Sequence, residues 1–261
     1  MLDPDSVSWQ MHSDPAMWIA GISSLYLQSL HPVAAEAIVK HSNFHTDPLG
    51  RLRRTAEFVA LSVYGAPDDL AVAARRVRSV HRRLRVDEPE LLLWVHCAEV
   101  YSFLTVMQRA GYGLTPRQEN LYLDEQRRTA TLVGLHADEV PGSRAEMQDY
   151  FVRVQPELAR SPWSDEIYHF LHGPRVTGWL RHGLPLYEAL VGHLAYSVLP
   201  PWAVELHGYT PYRHPDLGLR VLRRAALLIP GRVRRLVPPG EIRKAIHRLG
   251  PGVTPSKRKL P

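Results

Sequence analysis

The sequence predicts a single all-α domain, and three observations carry that prediction. Apolar residues recur at helical spacing through most of the 261 residues. Proline and short polar side chains stand where helices would start. Alternating strand patterns are nearly absent, and no internal repeat or low-complexity block interrupts the chain. The length suits one sizeable core. The expected organisation is an N-terminal extension over 1–14, a helical domain over 15–230 and a basic, proline-rich tail over 231–261.

Residues 15–30 carry Met17, Trp18, Ile19, Ile22, Leu25, Tyr26 and Leu30, a broad apolar set. Pro32 restarts or kinks the chain, and Val33, Ala34, Ala37 and Ile38 continue toward His41. Asp47 suits an N-cap and Pro48 the first helical position. Leu52, Ala56, Val59, Ala60 and Val63 then line one face until Tyr64-Gly65-Ala66-Pro67. Asp68 or Asp69 opens the next helix, whose stripe is Leu70, Ala74, Val77, His81 and Leu84. Asp87-Glu88-Pro89 opens another, apolar on nearly all sides from Leu91 to Met107 and so expected at the centre of the core. Gly111 and Gly113 stop it, and Thr115-Pro116 starts a helix to Leu132. Ser143 and Glu146 have capping-box spacing for a helix to Val154. Ser164 precedes a helix to Leu171, and 184–199 reads as a further apolar helix ended by Pro200-Pro201. An amphipathic pair follows at 216–229 and 239–249, and the last dozen residues are expected to fray.

Charge is unevenly spread. Residues 220–261 hold twelve Lys and Arg against one acid, Glu241, so this segment carries +11 and the remainder −5. The basic excess belongs to the tail rather than the fold, and nucleic acid is not the expected partner. The opening MLDPDSVSWQ has neither the basic nor the apolar region of a signal peptide. No window approaches eighteen uninterrupted apolar residues, so no transmembrane segment is expected. Cys97, the one cysteine, lies in an apolar run and reads as a buried structural thiol; a cytoplasmic setting is the expectation.

His81 is the residue that most needs explaining. An imidazole on an inward stripe requires a partner, because burying an unpaired polar group is costly. That partner is either an ordinary carbonyl or carboxylate, or else a metal or haem iron. His31, His41, His45 and His96 also adjoin apolar segments; capping or a satisfied core position explains each, with His96 the best second candidate ligand. Glu166 and His169 have Glu-x-x-His spacing, but only once, whereas a di-iron bundle repeats it. There is no GxGxxG, Walker loop or HExxH, and no Ser-His-Asp set is favoured over another. Arg51, Arg54 and Thr55 cluster on one helix, either as a solvated edge or as an anion clamp.

Three runs together resemble a known family: His31-Pro32-Val33-Ala34 through Asp47-Pro48-Leu49-Gly50-Arg51-Leu52-Arg53-Arg54-Thr55; Val77-Arg78-Ser79-Val80-His81; and Asp87-Glu88-Pro89 through Trp94-Val95-His96. They are similar to the MpaB-type and latex-clearing-protein oxygenases, over roughly residues 10–240. The resemblance implies a globin-like helical domain holding haem b, with His81 as the proximal iron ligand. It places Arg51 and Thr55 at positions the rubber-cleaving members use, and Arg54 where they carry a distal lysine. A guanidinium stays protonated and ligates metals poorly. Arg54 is therefore expected to donate hydrogen bonds on the distal side. The link between His81 and Trp94 is also shorter than the family's usual connection, which should reshape one pocket wall.

The function so implied is haem b-dependent oxygenase chemistry, with O2 or peroxide and a hydrophobic small molecule as partners. Arg51, Arg54 and Thr55 are the expected catalytic residues. His81, Arg51, Thr55 and His96 are the expected cofactor-binding residues, with His81 on the iron. The alternatives are a non-catalytic haem carrier or sensor, and a cofactor-free helical binding module whose basic tail meets a partner.

Overall fold

The computed structural model describes residues 2–41, 47–174, 178–235 and 240–261. His45 and the Ser42-Asn43-Phe44 and Pro238-Pro239 runs lie outside these; for His41 and Arg51 only the backbone is described. The architecture is all-α, with no strand among the described residues. In chain order the helices are α1 (Val7–Met11), α2 (Met17–Gln28), α3 (Pro32–His41), α4 (Pro48–Tyr64), α5 (Pro67–Leu84), α6 (Pro89–Arg109), α7 (Pro116–Val133), α8 (Arg144–Val154) and α9 (Pro162–His172). Then come α10 (Leu184–Tyr187), α11 (His193–Ser197), α12 (Pro201–His207), α13 (Pro215–Leu228), α14 (Gly231–Arg234) and α15 (Glu241–Leu249).

Most starts follow from the local residues expected to cause them. Pro occupies the first turn of α4 through α7. Asp47 caps α4 by accepting from the Gly50 N–H at 3.0 Å. Thr115 and Gln118 form a reciprocal capping box on α7. On α8 only half the expected box forms. Ser143 accepts from the Glu146 N–H, but the Glu146 carboxylate turns to the Gly142 N–H at 2.7 Å and Arg127 at 3.0 Å. The 184–199 segment is not one helix: a π turn over Glu188–Gly192 separates α10 from α11.

α6 is the hub. Its most extensive partner is α2, and α3, α7 and α13 also pack on it. Trp94 is fully buried and donates its indole N–H to the Gln28 carbonyl at 3.0 Å. By length and composition α6 could cross a membrane, but most of that span lies inside the fold.

Both chain ends are incorporated. α1 is wholly buried, and its first N–H groups, from Val7 and Ser8, donate to the Glu125 carboxylate of α7 at 3.0 and 2.7 Å. The expectation of a frayed C-terminus is corrected. Ser256 donates its backbone N–H to the Gln10 side chain, Gln118 donates to the Pro261 carbonyl at 2.6 Å, and Leu260 packs on the core. Ile242 and Ala245 of α15 close a second small core with Leu2, Trp9, Val63 and Tyr64. The tail wraps because it carries apolar side chains and backbone partners as well as charge.

One buried ion pair joins the two halves. Arg223 of α13 donates to both Asp14 oxygens through Nε, at 3.0 Å each, and to Oδ2 through Nη2 at 2.8 Å. Both side chains are buried, at 11% and 6% exposure. Removing one partner leaves a buried charge uncompensated, so Asp14→Ala and Arg223→Met should each cost about 3–5 kcal/mol in urea unfolding. The double variant Asp14→Leu/Arg223→Met should cost clearly less than the two single losses combined; additive losses would show that the pair does not act as a unit.

Candidate functional site

The helix carrying His81 has the face the spacing predicts. Leu70 and Ala74 are buried, while Val77, His81 and Leu84 are half-buried. Arg75, Arg76, Arg82 and Arg83 are exposed. Arg78 donates to the Leu132 carbonyl at 3.1 Å and ties α5 to α7, its main packing partner. α5 ends in a Schellman motif: Val86 N–H donates to the His81 carbonyl at 3.0 Å and Arg85 N–H to the Arg82 carbonyl at 3.1 Å. The His81 backbone is thereby fixed, yet its side chain is not satisfied. Nδ1 is buried without a hydrogen-bond partner among the described residues. Burial lowers the His81 pKa, and the nearby Asp87 carboxylate opposes that shift without reversing it. The ring is therefore neutral at pH 7.

His96 is the second such imidazole. It is buried on α6, its Nε2 has no partner, and burial alone lowers its pKa to about 4. One turn further along α6, burial raises the Glu99 carboxyl to about 7. Near that end of the helix, His12 meets the Tyr122 hydroxyl at 3.3 Å and packs edge-on against Phe103 at 5.4 Å; burial lowers its pKa to about 3. The sequence reading missed His12 and Glu99. An acid inside an otherwise apolar helix was the available signal for Glu99. His12 gave none, because α1 was not foreseen.

The α4 residues sit differently. Arg54 is exposed and donates to Asp47 Oδ2 at 3.0 Å. That hydrogen bond, with the one from Gly50, lowers the Asp47 pKa. Thr55 is exposed. The side chain of Arg51 lies outside the described residues, although its backbone is helical. α4 packs against α5, so the two segments are neighbours.

Other singled-out residues have ordinary explanations. His31 accepts from the Ala34 N–H at 3.4 Å and lies 4.0 Å from Glu157, as a capping histidine does. Cys97 is buried, and burial pushes its thiol pKa up, away from reactivity. His169 packs edge-on against Tyr168 and Tyr209. Among the described residues, no group of three His, Cys, Asp or Glu side chains could hold a metal ion by themselves.

A family model described as ER-bound oxygenase mpaB/B′/Rubber oxygenase, catalytic domain, matches residues 9–229. The chain belongs to this oxygenase family. No curated protein and no solved structure matches it. The matched span takes in α1 and runs to the end of α13, so it contains every candidate discussed above. What membership establishes is an oxygenase catalytic domain, with O2 and a small molecule as the implied reactants.

Two predictions follow from this geometry. Arg85 is the one non-glycine residue at positive φ (56°) among those described. An L side chain there costs roughly 1 kcal/mol. Arg85→Gly should therefore raise stability by up to about 1 kcal/mol in urea unfolding, part of the gain being offset by added freedom of the unfolded chain. A loss of stability would show that the arginine side chain makes a compensating contact.

The second concerns pH. His96 and His207 are buried, with folded pKa values of about 4 against 6.5 for a free imidazole. Between those values the unfolded chain binds more protons, so stability is full above the unfolded pKa and falls as pH drops through the window. Each group should cost about 2 kcal/mol between about pH 7 and about pH 5, and His96→Gln should remove one such share. Glu99, raised from 4.5 to about 7, has the opposite sign: its contribution is present at acid pH and fades as pH rises. Glu99→Gln should thus steepen the acid loss. Urea melts of the three proteins across this range check both signs.

Proposed function

We propose that this oxygenase domain works with haem b and oxidises or cleaves a hydrophobic small molecule, with His81 as the residue that would hold the iron. The observation that carries the reading is the His81 imidazole. The ring is half-buried, burial lowers its pKa, its backbone is locked by the end of α5, and its buried Nδ1 lacks a partner among the described residues. A neutral ring with a free nitrogen is what iron requires of a histidine. The residues present therefore fit the group. His96, with its own unpartnered nitrogen, is the alternative ligand.

Haem, when bound, supplies the activation of O2 or peroxide. The chain's own contribution lies around it. Arg51 and Arg54 bring fixed positive charge to α4, suited to carboxylates such as propionates or to negative charge developing in the reaction. Arg54 shares its charge with Asp47, which fixes the guanidinium against the helix start and leaves further N–H donors to use. Thr55 adds a hydroxyl that both donates and accepts. The short Arg85–Glu88 link sets the end of α5 close to the start of α6, limiting the room on the His81 side.

The test is an absorption spectrum of protein expressed with haem supply, compared among the wild type, His81→Ala and His96→Ala. The expected result is a Soret band in the wild type and His96→Ala, lost or shifted in His81→Ala. No haem uptake by the wild type, even after reconstitution, overturns the cofactor assignment. Loss only in His96→Ala moves the ligand to α6. Haem bound without substrate-dependent O2 uptake, across a panel of isoprenoid and aromatic compounds, favours the carrier or sensor reading.

A further inference from the structure

α13 is apolar on two opposite faces, and the core covers only one of them. Inward, Leu219 is buried, Leu222 packs on the core and Arg223 pairs with Asp14. Outward, Leu217, Val221 and Leu228 follow one line along the helix at 65%, 57% and 86% exposure. Leu227, Ile229 and Val233 extend this exposed surface into α14. Isolated apolar residues on a surface mean little. The exposed Arg224 stands on the same line between Val221 and Leu228, so the outward face interleaves large apolar side chains with arginine, and apolar side chains grouped on the solvent side of a helix mark contact surfaces.

The charge around the ridge has one sign. From Arg213 to Arg235 there are seven arginines and one acid, Asp216. Asp216 is already neutralised by Arg109 at 2.6 Å. Arg220 flanks this line, Arg224 sits on it, and Arg232 is exposed beyond it. At the head of α13 a shallow cleft of about 400 Å³ is lined by Arg213, His214, Leu217 and Arg220 among others. Its arginines suit a phosphate, and its mouth lies beside the ridge.

We propose that this face docks on the surface of an anionic phospholipid membrane, with Leu217, Val221 and Leu228 entering the acyl boundary and the arginines contacting headgroup phosphates. An interfacial helix needs this combination of apolar ridge and basic flanks. The competing occupants each leave half of it unexplained. A second copy meeting the same face would set arginine against arginine. A nucleic acid would use the arginines and leave an exposed Leu228 without a role. The proposal does not rest on the haem reading.

Vesicle flotation of the full chain tests it, with pure phosphatidylglycerol against pure phosphatidylcholine. Binding to phosphatidylglycerol only, weakened by salt, is the expected result. Arg224→Gln and Arg232→Gln should each lower partitioning roughly fivefold, and Leu228→Ser at least about tenfold. All three positions are exposed, and thermal midpoints equal to wild type will confirm the fold is intact. Haem content and oxygenase turnover should be unchanged in these variants, which separates failure here from failure of the cofactor assignment. Absence of binding to phosphatidylglycerol overturns the proposal, as does equal binding to both lipids or binding indifferent to the substitutions. It is also overturned if sedimentation shows a dimer that Leu228→Ser dissolves, or if an RNA homopolymer binds the arginines while ignoring Leu228→Ser.

Discussion

The complete enclosure of α6 is the constraint on which the rest of the molecule depends. A helix apolar on nearly every side cannot lie on a surface, so other elements must surround it; α2, α3, α7 and α13 do so. The indole of Trp94 shows how closely. Its ring packs against Phe151 at 6.0 Å, while its N–H is satisfied by a carbonyl at the end of α2. Buried Trp side chains usually find such a partner for the polar edge, and Trp94 does. The α2 C-terminus is thus held at one distance from α6, and α3 leaves from there. Enclosure also raises the cost of every polar atom on α6. Cys97 and Ser102 are small enough to bury cheaply; the buried His96 and the half-buried Glu99 are not, and burial shifts the pKa of both.

Charge is arranged around this core in two different ways. The largely buried Arg223 is paired with Asp14 in a defined geometry, and the pair joins α13 to the turn before α2. Other arginines are solvated, on the outer faces of α5 and α13. The two faces are not equivalent. On α5 the outward arginines share the exposed surface with Ser79, Val72 and Val80, and Asp68 and Asp69 in the first turn offset part of their charge. On α13 they surround leucine and valine. The C-terminal excess of positive charge therefore divides into a part that wraps, such as Arg248 donating to the Tyr64 carbonyl at 3.0 Å, and a part that stays outside.

What the sequence made legible was local. Asp47 and Thr115 are caps whose partners lie three residues away, and proline in the first turn marks α4, α6 and α7 without reference to tertiary structure; Ser161 rather than Ser164 caps α9, and Pro67 opens α5 ahead of Asp68 and Asp69. The α5 stripe was readable for the same reason. What was hidden depended on distant partners. α1 has five residues and an ordinary N-cap, and what holds its N-terminus is Glu125, 118 positions from Val7. The C-terminal residues look like a free polar tail until Gln10 and Gln118 are seen to bind them. The break between α10 and α11 has a similar origin: a Cβ at Gly192 would collide with the backbone of His172, so the turn forms where two segments approach closely. Spacing singled out His81 and the Arg51, Arg54 and Thr55 group, and family resemblance supplied their roles. Glu99 was legible as an acid inside an apolar helix, whereas His12 required the fold.

The state of His81 follows from a balance between two terms of opposite sign. Asp87 lies just beyond the Schellman turn, and a carboxylate near an imidazole favours the protonated ring. Had it prevailed, His81 would be a cation and Nδ1 a donor, unable to bind a metal. Burial prevails instead, because Nδ1 lies out of contact with solvent and meets no hydrogen-bond partner among the described residues. Arg75, Arg76, Arg82 and Arg83 of the same helix stay on its exposed side, so the half-buried side carries a neutral imidazole. It stays neutral through the side of the helix it occupies, and that side was fixed by the spacing of Leu70, Ala74 and Val77.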